Sequence, residues 1–349
     1  MTDPANPPHN PLGLNGFEFV EFTSPDPLAM ARQFEQLGFV PTHRHLTKNI
    51  TRYKQGRINL MLNRDADGRV AQFRNEHGAS ASAMAFRVAD PAKAMEWALA
   101  HGAKPTIEDD TVIEGIGGSY LYFIQDGIDL YADWAEIPGW QEAEAKNNVG
   151  LDLLDHLTHN VRRGQMRVWS EFYKTLFGFE EQKYFDIKGQ ATGLFSQAMI
   201  APDKAIRIPL NESQDDKSQI EEFIREYHGE GIQHLALTTP DIFDTVERLR
   251  ARGVKLQDTI ETYYELVDKR VPGHGEDLER LRKNRILIDG NVGDEGILLQ
   301  IFTENMFGPI FFEIIQRKGN EGFGNGNFQA LFESIELDQI RRGVIKVDA

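Results

Sequence analysis

Residues 232–253 read IQHLALTTPDIFDTVERLRARG: an apolar run, an aspartate, a helical pattern and a glycine. The same frame occurs in Phe17–Asp26 to Gly38 and in Ala83–Asp90 to Gly102, with Asp and Gly twelve residues apart in all three copies. A further copy runs from Leu153 through Gln165–Phe177 to Gly178, with a longer connection from strand to helix. In Pro27–Leu37 the apolar residues Leu28, Met30, Ala31, Phe34 and Leu37 recur at helical spacing, as do Ala94, Met95, Ala98 and Leu99 in Pro91–His101 and Phe243, Val246 and Leu249 in Ile242–Arg252. Pro27 suits a first helical turn and Gly38 a left-handed helix end. Extended runs follow the glycines, among them Arg57–Leu62, Ser119–Ile124 and Leu130–Asp133. Each copy therefore reads β-α-β-β-β, a helix covering one face of a small sheet. The other face stays exposed unless copies pair and curl around a shared cavity, so the chain is expected to be α+β, with four βαβββ modules in two open-barrel domains.

The segment Trp134-Ala-Glu-Ile-Pro-Gly-Trp140 closes the second copy. Residues 1–140 are expected to form one domain of two modules, 141–150 a polar linker, and 151–349 a second domain of two modules with added segments. Thr262 to Asn284 reads as a charged insertion, a loop around Val271-Pro-Gly-His-Gly275 plus a short helix over Glu276–Lys283. Gly319 to Ala349 reads as a tail with a helix over Phe328–Ile340. With 349 residues the chain can bury a large core. A net charge of −16 argues against a nucleic-acid partner, since phosphate neutralisation needs a basic surface. The absence of cysteine excludes disulfides and thiolate metal sites. That absence fits a cytoplasmic enzyme, which is the expectation; residues 1–10 lack the apolar core of a signal peptide, and no apolar run is long enough to span a bilayer.

Histidines mark only the second pair of copies. His234 lies seven residues before Asp241, where the earlier copies carry Phe19 and Ala83, and His156 lies on the opening strand of its own copy. Paired modules bring such positions to equivalent places. Glu313 sits in the apolar strand Pro309-Ile-Phe-Phe-Glu-Ile-Ile, where a charge is costly to bury without a partner. Two imidazoles and one carboxylate on one face of an octahedron leave three open positions, as in non-haem Fe(II) oxygenases. The competing reading makes the histidines hydrogen-bonded core residues and pairs Glu313 with an arginine. His159, three residues after His156, should point to the opposite face. His43 and His45, beside Arg44 and Lys48, read as surface residues. Gln300 shares a strand face with Phe302, and Phe311 with Glu313, enough for a pocket that holds a flat, partly polar ring. Asn211 and Gln219 would ordinarily be turn or helix-start residues. The run Glu321-Gly-Phe-Gly-Asn-Gly-Asn-Phe328 lacks the spacing and the preceding strand of a nucleotide loop; Phe323 and Phe328 on a flexible Gly-rich turn better suit an aromatic wall.

Five segments in order are specific: Asp155-His-Leu-Thr-His-Asn160, Gly231-Ile-Gln-His-Leu-Ala-Leu237, Leu298-Leu-Gln-Ile-Phe302, Phe312-Glu-Ile-Ile-Gln-Arg317 and Gly322-Phe-Gly-x-Gly-Asn-Phe328. Together they resemble the bacterial 4-hydroxyphenylpyruvate dioxygenases, across essentially the whole chain and most densely after residue 150. The resemblance implies the vicinal-oxygen-chelate fold, whose paired βαβββ modules match the repeat. It implies Fe(II) held by His156, His234 and Glu313, and a substrate, 4-hydroxyphenylpyruvate, whose carboxylate and 2-oxo group chelate the metal beside O2. Oxidative decarboxylation, ring hydroxylation and side-chain migration would give homogentisate and CO2, a step of tyrosine breakdown. Phe302, Phe311, Phe323 and Phe328 resemble that family's aromatic walls. Ser196, Asn211, Gln219, Gln233 and Gln300 resemble its polar lining, and Asn327 and Leu331 resemble contacts of its gating helix. Gln233 is the exception to strand geometry, because a neighbour of His234 should point away. A homo-oligomer, dimer or tetramer, is implied, with the first domain as scaffold and subunit contact. Hydroxymandelate synthase shares the fold, metal and substrate but oxidises the benzylic carbon. An extradiol catechol dioxygenase and a metal-free ligand-sequestering protein of the same fold are further alternatives, separated by product and by O2 consumption.

Overall fold

The structure, a computed structural model, describes residues 10–106, 111–188, 193–327 and 330. Among these, sixteen strands form two eight-stranded sheets. The first sheet contains β1 (Phe17–Thr23), β2 (Val40–Arg44), β3 (Ile50–Gln55), β4 (Ile58–Asn63), β5 (Ser80–Val88), β6 (Val112–Glu114), β7 (Tyr120–Gln125) and β8 (Ala135–Glu136), in the order β6-β7-β5-β1-β4-β3-β2-β8. Its helices are α1 (Pro27–Gln36), α2 (Gly68–His77) and α3 (Pro91–Ala100), and α4 (Trp140–Asn147) follows. The second sheet contains β9 (Leu153–Val161), β10 (Glu180–Lys188), β11 (Gly193–Ile200), β12 (Arg207–Ser213), β13 (Gly231–Thr238), β14 (Leu287–Asn291), β15 (Gly296–Phe302) and β16 (Phe311–Lys318), in the order β10-β11-β12-β9-β13-β16-β15-β14. Between them run α5 (Met166–Phe177), α6 (Gln219–Glu226), α7 (Ile242–Ala251), α8 (Glu261–Glu265), α9 (Val267–Arg270) and α10 (Leu278–Asn284).

The repeat has a local cause. Asp26, Asp90 and Asp241 are N-caps whose side chains accept from backbone N–H groups of the first turn, satisfying donors that a helix start leaves open. Gly38, Gly102, Gly178 and Gly253 follow the helices at φ of 93°, 93°, 70° and 82°, a region that glycine enters without a Cβ clash. In three modules the closing strand returns parallel to the opening one: β4 to β1, β7 to β5 and β12 to β9. A parallel return needs a crossover, which the helix of each module provides. The opening strands β1 and β5 pair antiparallel, with Phe19 opposite Ala85, and β9 and β13 are likewise neighbours.

The chain divides into two compact units. One comprises the described residues of 1–148, 154–235 and 305–311; the other comprises those of 149–153, 236–304 and 312–349. In the first unit, Phe19 packs with Ile50, Met61, Ala85 and Tyr131, and Tyr122, Leu130 and Trp134 lie against them. Leu130–Asp133 is therefore not the strand its residues suggest. The Asp129 carboxylate accepts from Tyr131 N, and Ala132 N donates to Asp129 O, which folds the segment into turns that lay Tyr131 on the core. The polar linker is largely helical, as α4. In the second unit, Thr262–Asn284 is more ordered than a loop: it carries α8, α9 and α10, with Tyr263 and Tyr264 almost fully buried. The expected helix over Phe328–Ile340 lies outside the described residues. Among the described residues no helix is long and apolar enough to cross a membrane.

Asp241 opens the helix that follows β13, the strand bearing His234. Asp241→Ala should lower unfolding stability by about 1 kcal/mol in a urea titration, with no change in the urea slope.

Candidate metal centre

β9 alternates. Leu157 and His159 lie on one face and His156, Thr158 and Asn160 on the other. His159 Nε2 is 2.7 Å from the hydroxyl of Tyr173 on α5, which identifies the His159 face as the one the helix covers. His156 therefore turns away from the helix. His156 Nδ1 donates to Asp155 Oδ1 at 2.9 Å, and Asp155 Oδ2 accepts from Arg207 Nη1 at 3.3 Å. His156 and Asp155 are both 3% exposed. On β13, His234 Nδ1 donates to Gln233 Oε1 at 3.1 Å, so Gln233 turns back onto its neighbour's ring instead of away from it. The rings of His156 and His234 lie 5.6 Å apart, and Phe311 stacks on His234 at 4.8 Å.

Glu313, 3% exposed, lies opposite Phe302 across β15 and β16 and accepts from Gln300 Nε2 at 3.0 Å. Gln300 is itself held: its Oε1 accepts from Asn327 Nδ2 at 2.7 Å. Asn327 Oδ1 accepts from the Tyr263 hydroxyl at 2.6 Å and from Arg270 Nη1 at 3.2 Å, and Arg270 Nη2 donates to that hydroxyl at 2.7 Å. A chain of hydrogen bonds thus runs from the helical insertion to the carboxylate. The glycines of the tail segment serve close approach rather than flexibility. Gly324 has φ of 73°, and a Cβ there would overlap Gln300 Oε1, while one on Gly326 would overlap the Asp289 carboxylate.

His156, His234 and Glu313 each offer a ligand atom, and these atoms lie within 4.8 Å of one another. Two imidazoles and a carboxylate suit a divalent transition metal and not a thiolate site. Acceptors on both Nδ1 atoms select the tautomer that leaves Nε2 its lone pair for a metal.

The other expected residues are placed as follows. Ser196 and Asn211 are paired in register on β11 and β12 and half-buried. Phe302, Phe311 and Phe323 are half-buried. Gln219 opens α6 after the Ser218 cap and is exposed. Phe328 and Leu331 lie outside the described residues. His43 is half-buried and His45 stacks edge-on against Trp134, neither within a metal-binding group among the described residues. Asp155, Arg207, Tyr263 and Arg270 escaped the sequence reading. Asp155 could have been found, since an acidic residue beside a ligand histidine is a common support. Tyr263 and Arg270 gave no signal, being aromatic and basic residues in a segment that reads as a charged loop.

A superfamily of small paired-module proteins is the class to which this sheet arrangement and trio point. Residues 153–266 match the family described as Glyoxalase/Bleomycin resistance protein/Dioxygenase superfamily. Residues 9–135 match that described as Hydroxyphenylpyruvate dioxygenase, HPPD, N-terminal. The chain is 57% identical to a 4-hydroxyphenylpyruvate dioxygenase of Pseudomonas aeruginosa, over 97% of this chain and 98% of the relative. It is 48% identical to one of Legionella pneumophila, over 97% and 98%. Among solved structures, a mutant 4-hydroxymandelate synthase from Streptomyces coelicolor superposes with a TM-score of 0.80 at 26% identity, over 94% of this chain and all of that one. The chain belongs to the 4-hydroxyphenylpyruvate dioxygenase family, whose members are non-haem iron enzymes.

Complete burial pushes the His159 imidazole down to about 3, so it stays neutral in the folded protein. The unfolded chain protonates the same residue near pH 6.5. Below about pH 6.5 the unfolded state therefore binds the extra proton and stability falls with pH, until the native residue protonates near 3; above about 6.5 there is no contribution. His159→Gln should flatten this acid limb by up to about 1.4 kcal/mol per pH unit between pH 6 and 4, measured by urea unfolding across that range.

Proposed function

We propose that the protein converts 4-hydroxyphenylpyruvate and O2 to homogentisate and CO2, with Fe(II) held by His156, His234 and Glu313. The convergence of these three side chains, in a chain 57% identical to a relative bearing that activity's name, carries the reading. The hydroxymandelate synthase neighbour is more distant, at 26% identity, which favours attack on the ring over the benzylic carbon. When bound, the iron supplies O2 activation and a template for the 2-oxo acid, which is its own reductant.

The protein's own groups do the rest. Asp155 and Gln233 hold the two imidazoles by their Nδ1 atoms, and Arg207 steadies Asp155. Gln300 orients Glu313. Phe311 braces His234, and with Phe302 and Phe323 it supplies apolar walls that exclude water from a flat ring. Ser196 and Asn211, with Gln233 and Gln300, give polar groups for the substrate's oxygens. Gln219, at the start of α6, is assigned to the same polar lining on the family resemblance. Asn327, Phe328 and Leu331 are assigned to the closing side of the pocket, the last two on the family resemblance alone. Residues 1–140 act as scaffold and subunit contact, 141–150 as linker and 151–349 as the catalytic domain of a cytoplasmic homo-oligomer, dimer or tetramer, in tyrosine catabolism.

O2 uptake with 4-hydroxyphenylpyruvate and added Fe(II), with the product identified chromatographically, tests the reading: homogentisate is expected, and 4-hydroxymandelate as sole product would overturn it. Glu313→Ala should keep its circular dichroism and lose turnover by more than about 100-fold through weakened iron binding; full activity of the iron-loaded variant would refute the ligand assignment. Asp155→Ala should weaken Fe(II) binding about 10- to 100-fold, measured by chelator competition.

A further inference from the structure

Asn160 is fully buried, yet neither its Oδ1 nor its Nδ2 has a hydrogen-bond partner. Thr158 Oγ1, two residues earlier on the same face, is likewise buried and unpartnered. Native proteins rarely tolerate this, because each buried polar group left unsatisfied costs about 1–3 kcal/mol. An amide with both ends open is a group prepared for something that the folded chain does not itself supply.

Its position says what. The register between β9 and β12 keeps a constant offset from Arg207 opposite His156 to Asn211 opposite Asn160, so no bulge breaks the alternation between the two positions. Asn160 therefore shares a face with His156, on the side away from α5. Four residues at about 3.3 Å each put it about 13 Å along the strand from the metal ligand. Across the sheet Asn211 pairs with Asn160, and Ser196 pairs with Asn211. Ser196, Asn211 and Asn160 thus form one polar row at the end of the face remote from His156. A substrate gripped at His156 by its 2-oxo acid carries its ring hydroxyl at the opposite end.

We infer that Asn160 positions the substrate by hydrogen bonding to the ring hydroxyl, completing the row with Asn211 and Ser196, and so helps select a hydroxylated ring over a bare one. This rests on the function proposed above. A carboxamide suits the task, since it can donate to and accept from a hydroxyl at once. A site built to bond a hydroxyl discriminates strongly against the analogue lacking it, because its polar groups are then left unpaired.

The test compares the binding of 4-hydroxyphenylpyruvate and phenylpyruvate to the Fe(II)-loaded full-length protein without O2, by calorimetry. Asn160→Leu should weaken 4-hydroxyphenylpyruvate about tenfold and leave phenylpyruvate within about twofold. Its melting temperature should be unchanged or raised, since the unsatisfied amide is gone. Asn160→Ser, smaller than the native residue, should show the same selective direction and decides the matter should the leucine variant fail to fold. Equal losses for both ligands, as a structural role gives, or no loss for either, as an amide that holds only water gives, would overturn the inference. Failure of the unaltered protein to bind 4-hydroxyphenylpyruvate at all would instead count against the proposed function.

Discussion

A carboxylate buried inside an apolar strand is the constraint to which the second sheet answers. Glu313 sits among Phe312, Ile314 and Ile315, where an uncompensated charge would be neutralised or expelled. Strand pairing places Gln300 where it can donate to that carboxylate, and the opening strands of two modules bring His156 and His234 within ligand reach of it. A divalent cation is the natural counter-charge for such an arrangement. Each of the three side chains is in turn restrained by a neighbour: Asp155, Gln233 and Gln300. Geometry of this kind is costly to leave loose, since small displacements of a ligand set weaken both affinity and chemistry.

The first sheet shows the same scaffold with the opposite outcome. Phe19 stands where a histidine would stand, and the turns around Tyr131 lay aromatic rings over the site, so that face is packed solid. Among the described residues one buried carboxylate remains there, Glu21, held by Ser82 at 2.8 Å and Asn63 at 3.1 Å. Burial pushes it upward, towards the neutral acid, and neutral partners suffice for it. Duplication thus left two similar frames. One gathered two imidazoles and a carboxylate; the other closed over a hydrophobic core.

What the sequence disclosed was local in origin. Aspartate caps and left-handed glycines act within a dozen residues, so their spacing announced the modules, and the histidine asymmetry pointed to the strands whose imidazoles meet Glu313. Long-range polar contacts were not legible in this way. Nothing in Glu-Thr-Tyr-Tyr-Glu, residues 261–265, indicates that Tyr263 turns inward to meet Asn327, because the flanking charges resemble a solvated loop. Leu130–Asp133 misled for the converse reason: its apolar residues suggest a strand, while Asp129 bends the backbone and the same residues fill a core from a turn. Gln233 escaped strict alternation because a long side chain can reach back around its own strand. The five ordered motifs supplied the chemistry that spacing alone left open.

The bonds linking Tyr263, Arg270, Asn327 and Gln300 carry a meaning for the tail of the chain. Ends of polypeptides commonly fray and tolerate trimming. Here the loss of residues beyond Gly324 would remove Asn327 and release the Gln300 carboxamide that donates to Glu313. A protease nick in that region would act as a chemical lesion at the core long before it acted as damage to the globule.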